Sequence, residues 1–161
     1  MKTPFVIYQG TFDPLTNGHL NIIKKALDLF GHVRVLLLVN PDKQPLFSVQ
    51  ERKEMIAAAT ADLPGVSIDS DSGLLVDYMR RHGTSVCVRG VRNAEDRAYE
   101  LHNHALSKQL YPDIETILLP CDPQWHAVSS SAVKAACTEG RLPSEWVPPA
   151  VLAALKKKFS L

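Results

Sequence analysis

The sequence predicts a doubly wound α/β protein, five parallel strands with helices on both faces of the sheet. Short apolar, β-branched runs recur along the chain, and the stretches between them carry apolar residues at helical period. Strands alternating with helices of this length pair in parallel through right-handed crossovers, which leaves helices on both faces. The first strand is expected at Phe5 to Tyr8, and Ile23, Ala26, Leu27 and Phe30 then follow the i, i+3, i+4, i+7 rule of a helix. A second strand is expected at Val33 to Val39. Ser48-Val49-Gln50-Glu51 is a capping box, in which hydroxyl and carboxylate each accept a free backbone N–H, and it opens a helix running to about Ala61. Val66 to Ile68 forms the third strand, Leu75, Tyr78 and Met79 begin a helical face, and Ser85 to Val88 forms the fourth strand. A long helix follows from about Glu95 to Leu110, with Pro112 barring its continuation, and Thr116 to Leu119 is the fifth strand. Beyond Pro120 come a loop, a serine-rich helix start, and a tail in which Pro143, Pro148 and Pro149 precede a helical stretch at Val151 to Phe159.

No repeat, low-complexity tract or linker divides the chain, so residues 1–161 are expected to form a single domain. With 45% hydrophobic and 22% charged residues the composition excludes a disordered protein. The apolar run Val33 to Val39 is broken by Arg34 and falls far short of the ~20 residues a bilayer span needs. With no signal-peptide pattern at the N-terminus, a cytoplasmic protein without membrane contact is expected. Cys87, Cys121 and Cys137 are odd in number and lack C-x-x-C spacing, which suits reduced, structural thiols in a reducing compartment. Lysine and arginine number 18 against 17 acidic residues, a net charge of +1, so nothing global draws the chain to nucleic acid. An anionic ligand has to be held by local charge. His32, His82, His102, His104 and His126 lack zinc-site spacing, and no protein metal site is predicted. Neither a P-loop nor a G-x-G-x-x-G fingerprint is present, and Lys156-Lys157-Lys158 reads as a solvated helix end.

Ligands of such sheets sit at the carboxyl ends of the strands, so the segments leaving those ends carry the chemistry. After the first strand comes Gly10-Thr11-Phe12-Asp13-Pro14-Leu15-Thr16-Asn17-Gly18-His19. Its glycines allow close backbone approach, Thr11 offers a hydroxyl, and His19 falls in the first turn of a helix whose free N–H groups favour an anion. Taken singly, Asp13-Pro14 and Asn17-Gly18 are also ordinary turn chemistry. Lys43 lies past the second strand, either at the ligand edge or solvated. Arg89-Gly90-Val91-Arg92 reads as a βα turn with two guanidiniums suited to phosphate oxygens, or as a surface turn paired with Asp96 or Glu95. Glu100 stands on the following helix. Ser129-Ser130-Ser131 at a helix start can cap it or bind phosphate, and Trp125 can stack on a base or fill the core.

The Thr16-Asn17-Gly18-His19 string resembles the T/H-x-G-H signature of the nucleotidyltransferase superfamily. The full Gly10 to His19 string resembles that of the phosphopantetheine adenylyltransferase family more specifically, and the likeness extends over nearly the whole chain. The resemblance implies a Rossmann-like homohexamer that transfers the adenylyl group of ATP to 4′-phosphopantetheine, giving dephospho-coenzyme A and pyrophosphate. It implies magnesium held mainly through substrate phosphates. By the family pattern His19, Lys43 and Arg92 are catalytic. ATP is assigned to Thr11, Phe12, His19, Gly90, Val91, Arg92, Glu100 and the segment Trp125, His126, Ala127, Val128, Ser129, Ser130 and Ser131. Phosphopantetheine is assigned to Thr11, Lys43, Leu75 and Arg89. The sequence departs from the pattern at Gln9, where proline is usual, at His126-Ala127, and at Ser107, where a longer amide is common. The expected mechanism is direct attack of the acceptor phosphate on the α-phosphorus, with His19 and the cations stabilising the growing charge.

Overall fold

The computed structural model describes residues 4–161. Its strands are β1 (Val6–Gly10), β2 (Val33–Leu38), β3 (Val66–Asp71), β4 (Val86–Val91) and β5 (Glu115–Pro120). The helices are α1 (Asn17–Phe30), α2 (Val49–Ala59), α3 (Leu75–Arg81), α4 (Ala94–Leu110), α5 (Ser130–Thr138) and α6 (Pro149–Phe159). All neighbouring strands pair in parallel, in the order β3-β2-β1-β4-β5. The chain winds outward from β1 to β3, then returns to the other side of β1 for β4 and β5. The fold is therefore a doubly wound, Rossmann-like α/β sheet. Its order reverses between β1 and β4, where connections leave to opposite faces and a crevice opens at the strand ends.

Alternation of side chains along the strands feeds two apolar clusters. On one face Val6, Tyr8, Val33, Val35, Leu37 and Val88 meet Ile22, Ile23 and Ala26 of α1, Met55 and Ile56 of α2, Val133 of α5, and Val151 and Leu155 of α6. On the other face Ile7, Leu36 and Cys87 meet Val76, Tyr78 and Met79 of α3, together with Ile114. Helix α4 lies along β4 and β5, where His104 Nδ1 is 3.0 Å from the Thr116 hydroxyl, itself 3.4 Å from Cys87 Sγ. All three cysteines are buried and unpaired. Among the described residues, no helix is long and apolar enough to cross a membrane.

The helix ends follow the local sequence chemistry. Ser48 and Glu51 form the expected capping box of α2, which ends at Ala59 with Thr60 as its C-cap, both the N–H and the hydroxyl of Thr60 donating to the Ile56 carbonyl. The first strand runs Val6–Gly10 rather than Phe5 to Tyr8, so Gly10 closes the strand instead of opening the loop. The third strand continues through Asp69, Ser70 and Asp71, because each residue finds a ladder partner on β2. A larger correction concerns Arg89-Gly90-Val91. These residues are not a turn but the end of β4, in register with Leu118, Leu119 and Pro120 of β5. Gly90 is needed there for packing: a Cβ would stand 2.8 Å from Ile22 Cγ1, so α1 approaches β4 as closely as it does only over a bare backbone.

Candidate active site

The segment joining β1 to α1 is fastened from four directions. Asp13, 3% exposed, accepts the Leu46 and Phe47 N–H groups at 2.8 and 2.9 Å and the Lys134 ammonium at 2.7 Å. The Thr11 carbonyl accepts Arg52 Nη1 at 2.8 Å, and the Pro14 carbonyl accepts the Ser130 hydroxyl at 2.8 Å. At the start of α1 the Asn17 N–H donates to the Trp146 carbonyl at 2.8 Å. Burial alone would raise the Asp13 pKa, but Lys134 and the two amides outweigh it and hold the carboxyl below its usual range. Asp13 is thus a structural anion, and the turn-chemistry reading of Asp13-Pro14 misses what it holds. Arg52 has no sequence signal beyond its place after the capping box, yet it is 2% exposed and spends its donors on backbone carbonyls.

So restrained, the segment places His19 at the third position of α1, where it completes a capping box with Thr16. The Thr16 N–H donates to His19 Nδ1 at 3.0 Å, while the His19 N–H donates to Thr16 Oγ1 at 3.3 Å. With Nδ1 accepting, the neutral ring carries its proton on Nε2. Burial, reinforced by the guanidiniums of Arg89 and Arg92, pushes the His19 pKa down to about 4. The imidazole is neutral near pH 7 and presents a single N–H. Phe12, at φ 49° and 2% exposed, packs its ring edge-on to His19 with centroids 5.0 Å apart. It braces the imidazole from behind.

A cavity of about 390 Å³ opens at the switch point between β1 and β4. Of the residues singled out from sequence it gathers Thr11, Phe12, His19, Arg89, Gly90, Arg92, Glu100, Val128, Ser129 and Ser130. Arg89 pairs with the buried Glu100 at 3.0 Å and donates to the Gln9 carbonyl at 2.5 Å. Arg92 pairs with Asp96 at 3.0 Å, which raises its pKa and lowers that of Asp96, as the surface-turn alternative anticipated. Neither pairing consumes a whole guanidinium, so both retain N–H groups for an anion. Ser129 caps α5 through the Ala132 N–H at 3.1 Å, and Ser130 is bonded to Pro14.

A second cavity of about 280 Å³ lies beside the first, lined by Leu75, Ser107 and His104 among others. Gln9, Arg89 and Glu100 line both. Lys43 stands in an exposed loop and lines neither cavity; Val91 at the end of β4, Trp125, His126 and Ala127 before α5, and Ser131 within α5 line neither as well. Trp125 packs partly buried against the larger apolar cluster, and His126 Nε2 lies 3.0 Å from the Cys121 carbonyl. Sequence reasoning passed over Tyr8, Ile22 and Cys121 as lining residues, since each reads as core. Among the described residues no three His, Cys, Asp or Glu side chains stand together in a way that could hold a metal ion.

Known proteins resemble the chain in sequence and in fold. A family model described as cytidylyltransferase-like matches residues 7–136. A phosphopantetheine adenylyltransferase of Heliobacterium modesticaldum is 40% identical over 153 residues, covering 95% of this chain and 91% of that protein. One from Thermotoga neapolitana is 43% identical over 153 residues, 95% of either chain. Among solved structures, a putative nicotinate-nucleotide adenylyltransferase of Vibrio parahaemolyticus shares the fold, with a TM-score of 0.67 at 16% identity over 94% of this chain and 97% of that one.

The ring state of His19 can be checked directly. In the free protein, nitrogen-detected NMR should show Nε2 protonated and Nδ1 not, with a titration midpoint near pH 4 instead of about 6.5. A midpoint at or above 6 would contradict the neutral-donor assignment.

Proposed function

The chain belongs to the cytidylyltransferase-like family and, within it, to the phosphopantetheine adenylyltransferases, and from that premise we propose how its two cavities work together. It is an adenylyltransferase that joins the adenylyl group of ATP to 4′-phosphopantetheine, releasing dephospho-coenzyme A and pyrophosphate. The observation that carries the mechanism is His19 with Nδ1 accepting the Thr16 N–H, which leaves Nε2–H as the one free donor of its ring, set at a helix N-terminus in a cavity that also holds Arg89 and Arg92.

ATP occupies the larger cavity, its phosphates against Thr11, His19, Gly90 and Arg92, with the Val128 to Ser130 segment at its rim. Phosphopantetheine lies along the second cavity past Leu75, which brings its phosphate to Arg89, a residue common to both. An oxygen of that phosphate bonds to the α-phosphorus while the α–β bridging P–O bond breaks, and the electron pair leaves with pyrophosphate. The acceptor is already largely ionised at neutral pH, so the protein supplies no general base. His19 and the arginines meet the charge that grows on the phosphoryl oxygens, and catalysis is positioning plus electrostatics. His19 is not a nucleophile: Nδ1 is occupied by the Thr16 N–H and Nε2 holds the proton. Displacement is then a single step with inversion.

The carboxylates of the larger cavity, Asp96 and Glu100, are already engaged by arginines, so these residues make no cage for magnesium. A magnesium ion bound with ATP would be held mainly through the nucleotide phosphates and would supply countercharge there. Lys43 is assigned to the acceptor phosphate by family resemblance alone. The same reading includes a single domain over residues 1–161, a cytoplasmic setting supported by three unpaired buried cysteines, and a homohexamer. The last is supported by Tyr99, Leu106 and Leu110, exposed along one stripe of α4.

Pyrophosphate release, coupled to a colorimetric readout, should require both ATP and phosphopantetheine, with nicotinamide mononucleotide and glycerol phosphate inactive as acceptors. Activity on either of those instead would assign the chain to another transferase of its family. In that assay His19→Ala should lower kcat by ~10²-fold or more with a smaller change in KM, because its donor acts mainly in the transition state. Lys43→Ala should raise KM for phosphopantetheine at least tenfold more than KM for ATP, and equal increases would remove Lys43 from the acceptor site. ATP chiral at the α-phosphorus should yield product of inverted configuration; net retention would demand a covalent enzyme intermediate.

A further inference from the structure

Tyr8 lies under the phosphate segment, and the mechanism above makes no use of it. It is 5% exposed, and its ring packs edge-on to Phe12 with centroids 5.3 Å apart and tilted to His19 at 6.5 Å. Among the described residues its hydroxyl donates to no protein group, and none of the fully enclosed side-chain oxygens or nitrogens lacks a partner. The hydroxyl is therefore not enclosed. Since Tyr8 lines the larger cavity and not the smaller, its small exposed part is the hydroxyl opening into that space. A phenol buried to this extent normally finds a hydrogen-bond partner, because leaving the donor unmade is costly.

We infer that Tyr8 is a further substrate-contacting residue, its hydroxyl donating to a phosphoryl oxygen of the nucleotide alongside the bond from His19 Nε2. The proposal rests on the reading of the larger cavity as the ATP site. A phosphoryl oxygen fits better than a base or sugar group, because His19, its ring 6.5 Å from that of Tyr8, and Arg89, whose charge acts on the phenol, line the same cavity and carry donors. Burial drives the phenol pKa far above its ordinary value despite the Arg89 guanidinium, so Tyr8 remains an O–H donor at any working pH. A neutral donor also adds no charge to a cavity whose arginines are already matched by Glu100 and Asp96.

Tyr8→Phe keeps the ring and its packing and removes only the hydroxyl. Isothermal titration of the variant and the wild type with ATP and with adenosine, beside their melting temperatures, tests the proposal. A hydrogen bond to a charged oxygen corresponds to a loss of roughly tenfold or more in ATP affinity. Adenosine affinity should stay within twofold and the melting temperature should be unchanged. Equal weakening toward both ligands, or ATP affinity within twofold of wild type, would overturn it. Should the variant misfold, 3-fluorotyrosine placed at position 8 gives a second reading. Its fluorine resonance should move when ATP or inorganic triphosphate is added and stay put with adenosine, and no movement with either phosphate counts against the contact. If the wild type itself fails to bind ATP, the assignment of the cavity falls, and the Tyr8 contact with it.

Discussion

The buried carboxylate of Asp13 ties together parts of the chain that lie far apart in sequence. Its partners Leu46, Phe47 and Lys134 are 33, 34 and 121 residues away, so one side chain fixes the β1–α1 segment against the approach to α2 and against α5. Removing a charge from water is costly unless each lone pair is matched, and here two amides and an ammonium supply the match. Thr11, Phe12 and His19 inherit their positions from this clasp. The Arg52 and Ser130 contacts to neighbouring carbonyls close the remaining freedom. A phosphate site built on a loop gains the rigidity of helices and strands when its backbone is bonded to them on several sides.

The charges of the cavity are arranged before any ligand arrives. Arg89 and Arg92 are each held by a carboxylate from α4, which limits their rotamers without using all of their donors. Burial, reinforced by their positive field, keeps His19 unprotonated, which turns the imidazole from a third cation into a directed neutral donor. Groups oriented in advance need little reorganisation as charge develops, which is where electrostatic catalysis gains most. The backbone shares in the arrangement. Gly90 admits Ile22, so the second turn of α1 sits hard against the end of β4 and the two halves of the site lie side by side.

What the sequence disclosed was local. The strand–helix alternation, the Ser48 box, the Ser129 cap and the place of His19 in the first turn all follow from residues within a few positions of one another. Arg89-Gly90 looked like a turn because a charge and a glycine are poor strand residues; they remain in β4 because Glu100 neutralises the charge and Ile22 fills the space over the glycine. Neither partner can be identified without the fold. Asp13 looked like turn chemistry for the same reason, its donors being distant in sequence. The sheet order, and with it the location of the crevice, depends on how the third crossover returns across β1, and hydrophobic period says nothing of that. The tautomer of His19 rests on one backbone N–H three residues earlier, visible only once the cap is formed.

The strand order also bears on how the chain is made. Made before the other strands, β1 ends in the middle of the sheet, paired on one side with β2 and on the other with β4. Its second edge has no partner until the stretch holding Cys87 and Val88 has been synthesised, as Ile7 and Tyr8 pair there. For that interval the nascent chain carries an apolar strand with an open row of N–H and C=O groups, the feature that invites pairing with other chains. Lys134 comes later still, so the clasp on Asp13 closes only when most of the polypeptide is out. The segment carrying Thr11 and His19 is made before the other strands of the sheet and is among the last to be locked.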